Sequence, residues 1–429
     1  MVPSDTHIDN CDTDYGQVST PATIITRNQI LASIAVSMGS MIVGYSTAWS
    51  SPAVADLMMP ESYIEVSKYQ VSWIGSLMPL AALAGGLMGG SLLEFLGRKT
   101  TILCTAVPFI GAGLLVTYAQ DVTLIYAGRT ITGFCIGIIS LSLPVYLAET
   151  IHPEVRGTLG LVPTTLGNAG VLLCYILGFW LHWYHLALVS AVLPLPFLIL
   201  MFMIPETPRY LLSKDKRLEA SLSLQWLRGP DHDITTELSS METPILARKN
   251  RLSLKELFSM SYLKPFIVCT GLMLFQQLSG INSVMFYSVS IFRDAGSSID
   301  SNLATIILGV VNVGATIISN ALIDKLGRKF LLYISAGGMV FSLGVFGAYF
   351  YIKDYSSTDA GGEPPGWIPL IALMVYVVSF SIGFGPIPWL MMGEVFPSRI
   401  RGAAASFSTA FNWACTFLVT KTFMDLQVW

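Results

Sequence analysis

The sequence predicts an all-α polytopic membrane protein, and three observations lead to that fold class. Of its 429 residues, 53% are hydrophobic and only 12% are charged, whereas about a quarter of the residues in soluble domains are charged. The apolar residues form blocks of roughly 18–26 residues, long enough to cross a hydrocarbon core about 30 Å thick. Two pairs of motifs also recur in the two halves of the chain, as expected for a duplicated helical unit.

Eleven hydrophobic blocks are predicted to be membrane-spanning helices. They lie at about residues 29–51, 71–93, 100–119, 122–147, 159–181, 185–204, 265–290, 302–323, 330–351, 367–392 and 403–424. A polar stretch at 205–264 separates six spans from five, and its charged, leucine-spaced segments predict short amphipathic helices.

The predicted domain organisation follows from this division. It comprises a polar tail at 1–28, a six-helix half at 29–204, a loop with short helices at 205–264 and a five-span half at 265–429. The tail lacks the pattern of a signal peptide, so the first span is expected to be retained. Because symmetry would give the second half a sixth span, we expect that half to be truncated.

The distribution of Lys and Arg predicts the orientation in the membrane. If the N-terminus is cytoplasmic, 19 of the 24 Lys and Arg residues fall in cytoplasmic segments, and the opposite side has only Lys68, Arg293, Lys353 and Lys421. Cytoplasmic loops carry an excess of these residues. The N-terminus and the loop at 205–264 are therefore predicted to be cytoplasmic, and the C-terminus of this chain extracellular.

The sequence contains no pattern typical of a metal site or of an enzyme. The six cysteines show no CxxC spacing, so neither a disulfide framework nor a zinc site is predicted. His152, His182 and His185 do not share a helix face with ligand spacing, and no nucleophile motif is present. We therefore expect no catalytic residue, no metal and no cofactor.

Two motifs recur in both halves and place acids beside arginines. GGSLLEFLGRK at 89–99 returns as NALIDKLGRK at 320–329, and ETIHPEVRG at 149–157 returns as EVFPSRIRG at 394–402. For a single GRK turn, anchoring by positive charge alone is the simpler reading. Recurrence in both halves favours ion pairs between helices and between halves, which would lock the cytoplasmic side. The candidate gating residues are Glu94, Arg98, Glu149, Arg156, Asp324, Arg328, Glu394 and Arg401.

The stretch FQQLSGINSVMFY at 275–287 places amides inside an apolar span. Buried amides are costly in a membrane unless they face a cavity, a partner helix or a ligand. A single Asn or Gln in such a helix is often a contact between helices, whereas the clustering here favours a substrate site.

Several motifs together resemble the sugar-porter family of the major facilitator superfamily. They are GRK after spans two and eight, GR at 128–129, PVYLAE at 144–149, PETPR at 205–209, QQLSGIN at 276–282 and GPIPW at 385–389. Longer runs, such as those at 140–164, 383–394 and 409–423, are most similar to insect facilitative trehalose transporters. The resemblance covers about residues 25–425. It implies the major-facilitator fold of two six-helix halves, a small neutral sugar as substrate and a plasma-membrane location, with no nucleic acid and no obligate protein partner.

The resemblance also implies the sugar-binding positions. Amides matching the family's ligands for sugar hydroxyls can donate and accept without burying a charge, and aromatic positions pack against a sugar ring. The implied binding residues are Gln276, Gln277, Asn282, Asn312, Phe380, Trp389, Asn412 and Trp413. Tyr287 matches a gate position, Arg129 belongs to the GR motif, and Pro386 and Pro388 bend span ten. For the aromatic positions, the alternative is ordinary packing between helices. For the two prolines, the alternative is a fixed kink instead of a hinge.

Two departures from the glucose carriers bear on the substrate. Ser381 stands where those carriers have a glutamate, and Pro163-Thr164 stands where they have a His-Gln pair. Smaller, uncharged groups predict a roomier neutral cavity, consistent with a disaccharide. Thr164 and Asn168 are candidate replacement ligands, with packing contacts as the alternative.

The mode of energy coupling follows from Ser46 in GYST, where proton-coupled sugar porters have an aspartate. A proton carrier needs a group whose charge changes in the working pH range, and serine has none. We therefore expect facilitative uniport of a sugar, trehalose above others, by alternating access. The alternatives are a glucose facilitator, a transport-inactive truncated form and a sugar sensor.

Overall fold

The computed structural model describes residues 26–152, 155, 159–230, 232–247, 260–358, 365–396 and 401–426. These residues are overwhelmingly α-helical, and none of those described lies in a strand. The all-α prediction is confirmed.

Among the described residues, the first half contains eight helices. They are α1 (Arg27–Ala48), α2 (Ser50–Leu57), α3 (Lys68–Leu96), α4 (Arg98–Thr117), α5 (Val122–Thr150), α6 (Val162–Gly178), α7 (Trp183–Val192) and α8 (Pro194–Met203). In the described part of the polar stretch, three short helices follow: α9 (Pro208–Ser213), α10 (Arg217–Arg228) and α11 (Thr235–Ala247).

In the described part of the second half there are seven helices. They are α12 (Met260–Leu278), α13 (Ile281–Ala295), α14 (Ser301–Leu326), α15 (Arg328–Thr358), α16 (Ile368–Ile382), α17 (Ile387–Val395) and α18 (Arg401–Leu426). Several predicted spans are therefore broken helices: α1 with α2, α7 with α8, α12 with α13, and α16 with α17.

Helices lie at all eleven predicted spans. Within the described residues, nine helical segments are long and apolar enough to cross a membrane, while Val162–Gly178 is a shorter apolar helix. The helix at the eleventh position, Arg401–Leu426, is not among the nine. Membrane-spanning helices are thus confirmed, and the count of eleven crossings stays a prediction.

Close packing within the first half depends on small residues. Helix α3 packs along α5, and a Cβ on Gly137 of α5 would lie 2.1 Å from the Ala82 carbonyl oxygen of α3. Only glycine allows the two backbones to approach this closely, as is common between helices in membranes.

The two halves meet mainly along three pairs of helices. Helix α18 packs against α3, α14 packs against α6, and α13 packs against α2. Each of these helix pairs joins the first half to the second.

The two ends of the bundle need names. We call the end that carries the turns Gly97–Lys99 and Gly327–Lys329 the basic end, and the other end the far end.

The turn at the basic end of the first half is built around Glu206. Gly97 has φ +96°, and a Cβ there would lie 2.5 Å from Glu206 Oε2. The Glu206 carboxylate accepts hydrogen bonds from the backbone N–H groups of Arg98 and Lys99, each at 3.0 Å. These are the N-terminal N–H groups of α4, which have no partner within the helix, so Glu206 caps α4 and ties it to the start of the polar stretch.

Replacing Glu206 by alanine is expected to destabilise the first half. The change leaves capped N–H groups without an acceptor, which costs about 1–3 kcal/mol. Thermal unfolding of the detergent-purified protein measures this loss. Glu219→Ala is the matched control, because Glu219 pairs only with the exposed Lys216 on the same helix. Equal midpoints for the two variants would contradict the capping role.

Candidate substrate site and gates

The stretch at 275–287 is interrupted by a break between α12 and α13. Gly280 has φ +86°, in the left-handed region where glycine has no Cβ to clash. The Tyr376 hydroxyl of α16 donates a hydrogen bond to the Ser279 carbonyl at 2.9 Å. The backbone at the break is thereby satisfied from a neighbouring helix, which fixes the orientation of Gln277 on one side and Asn282 on the other.

Four predicted amides form a hydrogen-bonded cluster at this break. Asn412 Nδ2 donates to Gln276 Oε1 at 3.0 Å, and Gln277 Nε2 donates to Asn412 Oδ1 at 3.2 Å. Asn282 Nδ2 donates to Gln277 Oε1. Amides that bond one another carry both donors and acceptors, so sugar hydroxyls can replace these bonds without leaving a charge unpaired.

Gln276 also stabilises the break between α16 and α17. Pro388 has no N–H to donate to the Phe384 carbonyl four residues before it, and Gln276 Nε2 donates to that carbonyl at 2.7 Å. In the same way Pro386 leaves the Ile382 carbonyl free, and the Ser319 hydroxyl donates to it at 3.2 Å. The two prolines therefore mark a break whose free carbonyls are held by other helices.

A second polar cluster joins the two halves. Asn312 Nδ2 of α14 donates to Asn168 Oδ1 of α6 at 3.2 Å, and Asn168 Nδ2 donates to the Thr316 hydroxyl at 2.7 Å. The Ser381 hydroxyl donates to Asn312 Oδ1 at 2.9 Å. Ser381, which stands in place of the glucose carriers' glutamate, thus contacts the predicted ligand Asn312. The other candidate replacement ligand, Thr164, lies half-buried on α6.

Two residues that extend this cluster toward the basic end were missed by the sequence analysis. Asn320 Nδ2 of α14 donates to the Thr165 hydroxyl of α6 at 3.0 Å. Asn312, Thr316 and Asn320 are spaced four residues apart and so lie on one helix face. That spacing was the available signal. In another helix pair, the Ser406 hydroxyl of α18 donates to the Gly86 carbonyl of α3 at 2.7 Å, so side-chain hydrogen bonds join the halves in both pairs.

The predicted aromatic residues do not all lie in one packing cluster. Trp413 is buried in the large core cluster, and Phe380 packs against the same cluster. Trp413 Nε1 has no hydrogen-bond partner among the described atoms. Trp389 instead packs beside Cys269 and Met273. An unpaired indole N–H next to Asn412 is therefore the aromatic donor available to a ligand.

At the far end, Tyr287 joins the two halves. It is fully buried, its φ of −129° interrupts the helical conformation of α13, and its ring stacks on Phe423 at 5.6 Å. A Cβ on Gly75 of α3 would lie 2.1 Å from the Tyr287 hydroxyl. The ring therefore fills the space beside a glycine of the opposite half, as expected for a gate.

The backbone beside Tyr287 is also bonded across the halves. Met285 O and Val289 N are partners in a regular α-helix. In α13 the Tyr175 hydroxyl donates to Met285 O at 2.8 Å, and Val289 N donates to the Ser51 hydroxyl at 3.2 Å. Together with the Asn320–Thr165 contact, these hydrogen bonds join the halves on both sides of the amide clusters.

Ion pairs of the repeated motifs lie within each half. Arg98 Nη2 lies 2.7 Å from Glu149 Oε1 in the first half, and Arg328 Nη2 lies 2.9 Å from Glu394 Oε1 in the second. Glu94 lies in the last turn of α3, which ends at Leu96. Arg156 lies outside the described residues, as do the side chains of Asp324 and Arg401, so ion pairs between the halves stay a prediction.

Arg129 is buried at the break between α1 and α2. Its Nη1 donates to the Ser46 carbonyl at 2.9 Å, its Nη2 donates to the Ser50 hydroxyl at 2.8 Å, and the guanidinium lies 5.1 Å from the ring centre of Trp49. No carboxylate pairs with it among the described residues. Arg129 therefore donates a hydrogen bond to the backbone carbonyl of Ser46, the residue that stands where proton-coupled sugar porters have an aspartate.

Replacing Gln276 by methionine is expected to lower the free energy of unfolding by about 2–3 kcal/mol, because two buried carbonyls of the α16–α17 break lose their donor. Unfolding in mixed micelles measures the change. Gln277→Met is the matched control, since the Nε2 of Gln277 donates only to other side-chain amides. A loss as large in the control would show that Gln276 has no special role at the break.

Comparison with known proteins confirms the resemblance. Residues 32–427 match the family described as "Sugar (and other) transporter". The chain is 51% identical over 416 residues to the facilitated trehalose transporter Tret1 of Polypedilum vanderplanki, covering 96% of this chain and 82% of the relative. It is 52% identical over 404 residues to Tret1 of Apis mellifera ligustica, covering 93% and 79%.

The structure is also similar to a solved sugar transporter. The major facilitator superfamily proton:xylose symporter XylE, bound to 6-bromo-6-deoxy-D-glucose, matches with a TM-score of 0.78 and 26% identity over 94% of this chain and 90% of that one. With its membrane-spanning helices, the chain belongs to the sugar transporter family of the major facilitator superfamily.

Proposed function

We propose that this protein is a facilitative uniporter for trehalose in the plasma membrane and works by alternating access. The observation that carries the proposal is that hydrogen bonds join the two halves on both sides of the amide clusters. At the basic end Asn320 bonds Thr165, and at the far end Val289 bonds Ser51. Opening one set while the other stays closed would expose the amides to one side at a time.

The substrate is proposed to bind through neutral groups. Gln277, Asn282 and Asn412 offer amide donors and acceptors, and Asn312 adds an amide that contacts the opposite half. Trehalose is favoured because the relatives at about half identity are named for it, and because serine at position 381 leaves more room than a glutamate. A hexose facilitator is the second candidate.

Uniport is proposed because the candidate coupling position carries no titrating group. The Ser46 carbonyl accepts from Arg129, and the guanidinium keeps its charge over the physiological range. Without an energy source the sugar moves down its gradient in both directions, and it shifts the conformational equilibrium only through its different affinities for the two states. The positive-residue distribution supports a cytoplasmic location for the basic end.

Trehalose uptake in oocytes tests the proposal directly. Radiolabelled trehalose should accumulate to equilibrium, with glucose taken up more slowly, and a protonophore should leave the initial rate unchanged. Uptake of glucose alone would support the hexose facilitator. Collapse of uptake with the protonophore would show proton coupling, and surface expression without uptake of either sugar would favour a sensor.

Replacing Gln277 by methionine tests the amide cluster. Loss of one hydrogen bond to a sugar hydroxyl costs about 0.5–1.5 kcal/mol, so the KM for trehalose should rise roughly three- to tenfold at unchanged surface expression. Gln225→Met is the control, because Gln225 bonds backbone carbonyls next to α10 in the polar stretch. An unchanged KM in Gln277→Met would remove Gln277 from the site.

A further inference from the structure

A lysine of the second half is held between side chains of the first half at the far end. Lys421 of α18 donates from Nζ to the Ser72 hydroxyl of α3 at 2.8 Å. The same Nζ lies 5.1 Å from the ring centre of Tyr69 and 5.1 Å from that of Trp73, both on α3. Every one of these three contacts crosses from one half to the other.

The contacts to α3 are made to neutral groups. The Lys421 side chain is only 16% exposed, and its carboxylate neighbour is Asp425, 3.4 Å away on its own helix. An ammonium over aromatic faces is attracted by the ring quadrupoles, and this attraction strengthens as water is excluded. The lysine therefore gains from the rings of α3 only while α3 and α18 are together.

Lys421 lies at the end of a face of α18 that begins at the amide cluster. Trp413, Phe417 and Lys421 are four residues apart and so line one side of the helix, over a length of about 12 Å. The Phe417 ring lies 6.4 Å from that of Trp73. These packed side chains of α3 and α18 lie between the amide cluster and the far end.

We propose that four residues form a latch that keeps the two halves together at the far end. They are Lys421, Ser72, Tyr69 and Trp73, with Lys421 as the positioning residue. The latch keeps closed the opening between the halves at this end, which we call the far-end mouth. The latch rests on the proposed function in one respect, namely that opening this mouth is a step of transport. When the mouth opens, Lys421 leaves the two rings and becomes hydrated. The latch therefore sets how much of the protein has an open mouth, and it does not contact bound sugar.

A distance measurement across the mouth tests the latch without transport. Spin labels at Glu61→Cys in the first half and Arg293→Cys in the second, both at exposed positions, report the separation of the halves. Cys11 and the exposed Cys104 are replaced by serine. In lipid nanodiscs, Lys421→Met should increase the ratio of open to closed mouths roughly tenfold, from the loss of one cation over two rings.

Two variants separate the latch from a general loss of charge or packing. Lys421→Arg keeps a cation that stacks on aromatic rings and should restore the native distances. Lys353→Met removes another lysine of the far end, whose Nζ donates to the Asp294 carbonyl within the second half, and should leave the distances unchanged. Tyr69→Leu changes a ring that is 66% exposed, so it should fold normally and shift the ratio in the same direction as Lys421→Met.

Transport kinetics provide an independent check. A larger open fraction should lower the KM for trehalose outside and raise the KM for trehalose inside, because apparent affinity scales with the population of the competent state. Native distances in both Lys421→Met and Tyr69→Leu would overturn the latch, as would an equal shift in Lys353→Met. Shifted distances in a protein that carries no trehalose would retain the latch and refute the proposed substrate.

Discussion

Backbone groups inside the membrane must find partners within the protein, and the broken helices of this structure depend on that constraint. Three of the breaks are satisfied by a side chain from another helix. Arg129 bonds the Ser46 carbonyl, Tyr376 bonds the Ser279 carbonyl, and Gln276 bonds the Phe384 carbonyl. The breaks concentrate polar groups at the middle of the chain's spans, and the predicted substrate amides lie beside two of them.

These hydrogen bonds differ in whether they lie within a half or between the halves. Gln276, Tyr376 and Arg129 donate hydrogen bonds to carbonyls of their own half. The ion pairs Arg98–Glu149 and Arg328–Glu394 also lie within one half each. Contacts between the halves involve hydroxyls, amides and one ammonium, such as Asn320 with Thr165. A neutral hydrogen bond contributes only about 0.5–1.5 kcal/mol. Each half is thus held rigidly, while the joints between the halves are individually weak.

Gln276 shows why a predicted ligand can also be structural. Its amide nitrogen is committed to two carbonyls of the α16–α17 break, and its oxygen accepts from Asn412. Gln277 and Asn282 bond only side chains, so their hydrogen bonds can be exchanged without freeing backbone. The two adjacent glutamines of QQLSGIN therefore differ, because Gln276 holds the backbone of the α16–α17 break, whereas Gln277 is the glutamine proposed to bind the substrate.

Hydropathy predicted where the helices lie, because burial in lipid depends on composition averaged over about twenty residues. The break at Gly280 was not predicted, since a single residue hardly changes that average. The motif pattern identified Asn168 and Asn312, which the structure brings together. It missed Asn320, although its spacing of four residues from Thr316 was an available signal, and it missed Thr165, because a contact with a helix distant in sequence has no local signal. Trp389 and Trp413 pack in different clusters, and their contact with a sugar ring stays a prediction.

Arg129 connects the fold to the proposed absence of proton coupling. An isolated buried cation is costly, yet this one is stabilised by the Ser46 carbonyl, the Ser50 hydroxyl and the ring of Trp49. Those dipoles do not titrate, so the charge at this position stays constant through the cycle. An acid at position 46 would pair with Arg129 and give the pair a proton to exchange. With serine there, the same arginine hydrogen-bonds the backbone at the α1–α2 break, and in the proposed uniport mechanism sugar binding alone would move the halves.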